Sequence, residues 1–161
     1  GLKLRKQIRL GASGKIISGF DVMRTMALGA DWCNSARGFM FALGCIQAQT
    51  CHTGNCPTGV TTQDPKRQIA LVVPSKAERV FNFHRQTLES VQEMLQATGL
   101  KSPSELRLHH IMRRVSEHEI QNLSDLLQSV PGGALLESQS LEGLFAKYWL
   151  ASSPDSFQLT T

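Results

Sequence analysis

Three cysteines crowd one short stretch: Cys45, Cys51 and Cys56, separated by five and four residues, with Pro57 directly after the last. Thiolates are soft ligands that suit iron–sulfur clusters and zinc. Three thiols on one loop can converge on one centre, and a Cys-Pro ending is shared with ferredoxin loops, although these spacings differ. Three ligands suit a three-iron cluster, one thiolate per iron. His52 offers a fourth ligand for a Cys₃His zinc site, but structural zinc sites favour tighter Cys pairs. Cys33 offers a fourth ligand for a four-iron cluster. It sits in a strand-like segment beside apolar neighbours, however, where a Cys reads as a small buried hydrophobe. A Cys45–Cys51 disulfide is the remaining alternative, disfavoured because no export signal is visible. Spacing places iron–sulfur ahead of zinc, and either ahead of a disulfide.

A second candidate is a pair of small-residue loops. Gly11-Ala12-Ser13-Gly14-Lys15 follows one strand-like segment, and Asn34-Ser35-Ala36-Arg37-Gly38 follows another and opens a helix. Small residues let backbone N–H groups approach a phosphate, and a helix start adds partial positive charge. Lys15 and Arg37 add full charges. Two ordinary tight strand-to-helix turns would look the same. His84 lies on an apolar helical stripe and reads as a core histidine. No Ser/His/Asp, HExxH or Walker pattern occurs.

These loops need elements to hold them. Gln7–Leu10 reads as a strand; Ser18 with Asp21 as a capping box; Val22, Met23, Met26 and Ala27 as a helix face closed by Gly29; Ala30–Asn34 as a second strand. Strand, helix, strand is a βαβ unit with a parallel pair. A helix from Ser35 to Gly44 follows, then a loop from Cys45 to Pro65. Beyond it the pattern turns helical. Ser75 with Glu78 reads as a capping box. Ala77, Val80, Phe81, His84, Leu88, Val91 and Leu95 repeat at helical spacing up to Gly99. Ser102-Pro103-Ser104-Glu105 opens another helix, and Ser116 with Glu119 gives a third capping box. Leu141, Leu144 and Tyr148 form a short periodic piece before a Ser/Thr-rich end expected to fray.

The length of 161 residues predicts one domain with its own core. It also excludes a complete (β/α)₈ barrel, which needs about 250 residues. The chain opens on Gly1 rather than Met, which points to a start inside something longer. The net charge of +4 is scattered and aromatics are few, so a nucleic-acid surface is not expected. No apolar run reaches the roughly 18 residues of a membrane span.

At the cysteine loop the sequence resembles a known family. Ala42-Leu43-Gly44-Cys45, Cys51, Cys56-Pro57-Thr58-Gly59-Val60 and Thr62-Gln63-Asp64-Pro65 resemble the FMN and Fe–S synthase domain of glutamate synthase, closest to its shorter FMN-binding glutamate synthase family branch. Ala12–Lys15, Gly29–Asp31 and Asn34–Arg37 fit the same region in the same order, as does Ser75–Arg114. The resemblance implies an α/β fold: the last two βα units of a (β/α)₈ TIM barrel in residues 1–65, with an Fe–S cysteine loop, and a helical C-terminal extension in residues 66–161. It implies FMN phosphate binding by Ser13, Gly14, Lys15, Asn34, Ser35, Ala36 and Arg37, and a 3Fe-4S cluster on Cys45, Cys51 and Cys56. Large glutamate synthase subunits carry Asp-Gly-Gly where Ser13-Gly14-Lys15 stands here, so one backbone contact is exchanged for a side-chain charge.

The implied reaction is reductive formation of L-glutamate from 2-oxoglutarate and ammonia, or glutamine-derived ammonia, through 2-iminoglutarate. In the family, electrons pass from the cluster to FMN and then as hydride to the imine. The implied electron donor is ferredoxin or an NAD(P)H-oxidising subunit, and the implied location is cytoplasmic. Substrate residues would lie on a missing N-terminal barrel portion, so the chain alone is expected to be inactive and to bind FMN weakly. N-methylglutamate synthesis by the same family, and a zinc-stabilised interaction module, stand as alternatives.

Overall fold

The structure, a computed structural model, describes residues 1–127, 129–137 and 141–158. It is mixed α/β, rich in helix, with two small sheets. Two compact units divide the chain: Leu10–Leu123, and Gly1–Arg9 with Ser124–Thr161.

The first unit opens with β1 (Gly11–Ser13), α1 (Gly19–Ala27), β2 (Trp32–Asn34) and α2 (Arg37–Leu43). β1 and β2 pair in parallel, Gly11 opposite Trp32 and Ser13 opposite Asn34. This is the expected βαβ unit, but its first strand lies at Gly11–Ser13, wholly beyond the expected Gln7–Leu10 and in residues read as loop. The Leu10 N–H donates to the Asp31 carboxylate at 2.8 Å, so a side chain takes the donor that a strand partner would have taken. Gly11 is required here, because a Cβ would stand 2.5 Å from the Trp32 ring.

Ser18 and Asp21 form the predicted capping box at the start of α1. Ser18 Oγ accepts from the Asp21 N–H, and the Asp21 carboxylate accepts from the Ser18 N–H at 2.9 Å. Gly44, at φ 108°, ends α2 in the left-handed region where a side chain would be strained.

A single turn, α3 (Pro65–Gln68), precedes α4 (Val73–Thr98), the longest helix. α4 starts two residues before Ser75, with Val72 at its N-cap, so Ser75 and Glu78 form no capping box. Pro74 sits in the first turn, where its preset φ suits a helix and its missing N–H costs nothing.

α4 packs on α1 and α2. Its contact residues Lys76, Phe83 and Ser90 are seven apart, close to two helical turns. Each meets a glycine. A Cβ on Gly38 would lie 2.6 Å from Phe83, and one on Gly19 would lie 2.8 Å from Ser90 Oγ. A Cβ on Gly44 would lie 3.0 Å from Lys76 Nζ. Phe83 also meets Phe39 edge to face, ring centres 5.1 Å apart. Val91 and Leu95 are buried beyond them, with Met23, Ala27 and Ile16 in the same core.

The expected stripe on α4 is only partly the buried one. Val91 and Leu95 are buried, but Phe81 is 63% exposed, Leu88 is 53% exposed, and His84 is exposed rather than a core histidine. The packing face is rotated toward Phe83, Thr87 and Ser90. Glycines on α1 and α2 admit short polar side chains there, and Thr87 Oγ1 satisfies itself on the Phe83 carbonyl at 2.7 Å.

After Gly99 the expected helices shrink. Ser102 caps one tight turn, Pro103–Glu105, after which the chain extends to bury Leu106. Ser116 and Glu119 are not a helix start. The N–H groups of Val115 and Ser116 donate to the Glu119 carbonyl, closing a hairpin of β3 (Met112–Arg114) and β4 (Ile120–Asn122). The backbone pairs across the turn, so residues 112–122 are strand rather than helix.

In the second unit the Gly133 N–H donates to the Gly1 carbonyl at 2.6 Å, and Leu135 packs where a Gly1 side chain would stand. The periodic piece near Leu144 is α5 (Gly143–Trp149), and Trp149 Nε1 donates to the Leu135 carbonyl at 3.1 Å. Of the Ser/Thr-rich end expected to fray, Ser153 and Ser156 pair in an isolated antiparallel bridge, and residues 159–161 lie outside the described set. No helix among the described residues is long and apolar enough to cross a membrane.

The Asp21 carboxyl is held below its ordinary 3.8, chiefly by the Ser18 N–H, with the Ser18 hydroxyl and Ile17 N–H adding to it. A carboxyl held low stabilises the fold above its ordinary value, and that contribution is lost as pH falls through the folded value. Ser18→Ala should cost about 0.5–2 kcal/mol near neutral pH. Asp21→Asn should be less stable than the parent at neutral pH, with the gap closing below pH 3.8. Urea unfolding across pH checks both; a pH-independent gap would overturn the assignment.

Candidate cofactor site

Parallel pairing puts Ser13 and Asn34, the last residues of β1 and β2, side by side. Both small-residue loops therefore leave the same end of the sheet. The carboxyl ends of parallel strands are where α/β folds bind ligands. Gly14 and Lys15 both have positive φ, 119° and 53°. At Lys15 that conformation costs about 1–2 kcal/mol, a cost glycine would avoid. Beside Gly14 the space is open, with no heavy atom within 4 Å of where a Cβ would stand.

The second loop is tied to the first. Ser35 Oγ donates to the Ile16 carbonyl at 2.7 Å. A hydroxyl has one proton, so Ser35 holds the loops together and keeps only acceptor capacity for anything else. Ala36 occupies the N-cap of α2 without a side-chain cap. Lys15 and Arg37 are exposed and make no ion pair among the described residues.

The cysteines stand beyond the other end of α2. Cys45 follows the Gly44 cap, Cys51 opens a single turn (Cys51–Thr53), and Cys56 is buried. All three line one small cavity of about 10 Å³, with Met40, Pro57 and Thr61. They share that cavity without forming a ready ligand set: among the described residues no three Cys, His, Asp or Glu side chains are arranged to hold a metal ion. All four cysteines are free thiols.

The lining favours thiolate. The Thr58 hydroxyl, 3.4 Å from Cys56 Sγ, and then the Thr61 N–H pull the Cys56 thiol down to about 6. Thr61 Oγ1 adds a smaller pull, although it is buried with no hydrogen-bond partner of ordinary geometry. The Gln47 N–H donates to Cys45 Sγ at 3.5 Å. An orphaned hydroxyl and sulfur-directed donors around an all-thiol set suit an anionic, thiolate-bound group. Cys33 differs: it lies in β2, half-buried, with its thiol pushed up by burial.

α3 holds the loop from behind. Arg67 Nη1 donates to the Asn55 carbonyl at 3.3 Å, and Gln68 Nε2 donates to the Thr62 carbonyl at 2.9 Å. Asp64 caps α3 by accepting from the Lys66 N–H.

Residues 2–101 match a family model described as a conserved region in glutamate synthase. The chain belongs to the glutamate synthase family. It is 41% identical over 124 residues to the glutamate synthase large subunit-like protein YerD of Bacillus subtilis, covering 77% of this chain and 24% of that protein. It is 31% identical over 147 residues to the glutamate synthase [NADPH] large chain of Azospirillum brasilense, covering 88% and 10%. It is 32% identical over 123 residues to the ferredoxin-dependent glutamate synthase of Antithamnion, covering 76% and 8%. The chain thus spans a quarter or less of the length of these relatives.

The glutamate synthase match takes in both strand-end loops, all four cysteines and α4, and stops before the β3–β4 hairpin. Within it, Thr58, Thr61 and Lys76 stand at the cysteine loop without having been singled out by sequence. The two threonines were legible in principle, as hydroxyls next to a cysteine; Lys76 was not, since helix packing alone brings it there.

Two glycines of the cysteine loop separate backbone need from packing need. Gly54 and Gly59 both have positive φ, 72° and 78°. Beside Gly54 the space is open, whereas a Cβ on Gly59 would stand 2.4 Å from the Arg67 carbonyl oxygen. Gly54→Ala should cost about 1–2 kcal/mol from backbone strain alone. Gly59→Ala should cost clearly more and detach the loop from α3. Urea unfolding of the two variants checks this; equal losses would show that α3 does not brace the loop.

Proposed function

We propose that this chain is the cofactor-bearing end of a glutamate synthase-type oxidoreductase that forms L-glutamate from 2-oxoglutarate and ammonia through 2-iminoglutarate. The observation that carries it is the placement of a phosphate-type strand end and a cavity lined by three cysteines at opposite ends of one helix, α2, inside the region the family model matches. In this reading residues 1–65 are the last two βα units of a (β/α)₈ barrel, and residues 66–161 are a C-terminal extension. A parallel pair of three-residue strands supports it, because parallel strands are normally interior members of larger sheets.

Ser13, Gly14, Lys15, Asn34, Ser35, Ala36 and Arg37 would hold the FMN phosphate. Gly14 gives close backbone access and Lys15 and Arg37 neutralise charge, while Ser35 fixes one loop against the other. Cys45, Cys51 and Cys56 would hold a 3Fe-4S cluster, with the Thr58 hydroxyl favouring the Cys56 thiolate and the Gln47 N–H directed at Cys45 Sγ. When bound, the flavin supplies hydride transfer and the cluster single-electron transfer. The chain's own part is to position both. Residues that bind 2-oxoglutarate would lie on preceding barrel strands. The NADPH and ferredoxin in the relatives' names suggest the class of electron donor.

The full-length protein, purified anaerobically, should show flavin and iron–sulfur absorption. Cys51→Ser should lose its iron, whereas Cys33→Ser should keep it. A colourless protein with stoichiometric zinc, or equal iron loss in both variants, would overturn the ligand assignment.

A further inference from the structure

Two cations of α4 reach the loop that carries Cys45. Lys76 Nζ lies 3.0 Å, and Arg79 Nη1 3.9 Å, from where a Gly44 Cβ would stand, and Gly44 immediately precedes Cys45. Lys76 is half-buried, and neither cation has an ion-pair partner among the described residues. Both sit at the carboxyl end of α2, where partial negative charge accumulates. A half-buried ammonium facing a seven-residue helix end leaves most of its field unspent. The next groups along the chain are the cysteines.

We propose that Lys76, seconded by Arg79, is a positioning residue of the cysteine site that sets the reduction potential of the group bound there. This rests on the thiolate-ligated cluster reading above. A cluster held by three thiolates carries net negative charge and becomes more negative on reduction. A fixed cation nearby favours the more negative state, so it raises the potential. Protein charge outside the ligand set is one of the established levers on such centres. The helix that carries the lysine is held in register: seven and fourteen residues further along α4, Phe83 and Ser90 pack against Gly38 and Gly19.

The test uses the full-length protein with Lys76→Met, Lys76→Arg and, as a control for a distant α4 cation, Arg85→Met. Arg85 lies over Phe81 on the exposed side of the helix. Iron content is read first, then the midpoint potential by redox titration followed in the EPR spectrum. The expected result is full iron in all variants, a negative shift for Lys76→Met, and the parent value for Lys76→Arg and Arg85→Met. Full iron with an unshifted potential in Lys76→Met would overturn the inference and leave the cluster standing. A parent protein without iron would overturn the cluster reading, and this inference with it. If Lys76→Met loses iron while Lys76→Arg keeps it at the parent potential, the charge requirement is upheld. Loss of iron in both would assign Lys76 a purely structural role and overturn the proposal.

Discussion

The seating of α4 on the first two helices is the constraint on which the rest depends. Glycines at 19, 38 and 44 make room there for Ser90, the Phe83 ring and the Lys76 ammonium. The contacts repeat every seven residues along α4, so a shift of one residue would break all three together. This single register locks α1 to α2 and keeps the turn that leads to Cys45 in place. It also means that α4, although it follows the cysteine loop in sequence, is part of what positions that loop.

The same economy explains what is exposed. With Gly38 facing it, Phe83 rather than Phe81 takes the interface, and Phe81 and Leu88 are left in solvent. Trp32 on β2 is 47% exposed although its ring covers Gly11. The two-stranded parallel sheet has unpaired edges, and such pairs are not self-sufficient. In relatives at least four times longer than the matched segment, further elements are available to meet these surfaces.

Local chemistry was the legible part of the sequence. The Ser18–Asp21 box, the Gly44 and Gly99 caps and the existence of a parallel strand pair, though not its register, follow from residue type and short-range spacing. What failed needed partners that a single sequence does not display. The α4 stripe was read from hydrophobicity, yet its packing face is set by glycines more than thirty residues away in the chain. Ser75–Glu78 and Ser116–Glu119 both satisfy the capping pattern. One was overridden by a proline that starts the helix earlier, the other by backbone pairing across a hairpin. Within the cysteine loop the spacing of thiols was plain, but the shared cavity, the Thr58 hydroxyl beside Cys56 and the reach of Lys76 emerge only once the chain is folded.

The short helix α2 then acquires a meaning that neither of its ends has alone. Its first residue, Arg37, belongs to the strand-end loops, and Gly44, just after its last, leads into the cysteines. Seven residues at about 1.5 Å each set roughly 10 Å between the two, and one extra turn would add about 5.4 Å. A helix is stiff over that length, so the spacing is built into the fold rather than left to loop closure. Both ends are also pinned sideways, the start by Phe83 against Gly38 and the finish by Lys76 against Gly44. On the proposed reading two redox groups would sit at the ends of α2, and such a pair needs a fixed, short separation more than any particular side chain between them. The length of α2 and the glycines that seat it would then matter more than the identity of any one strand-end loop residue.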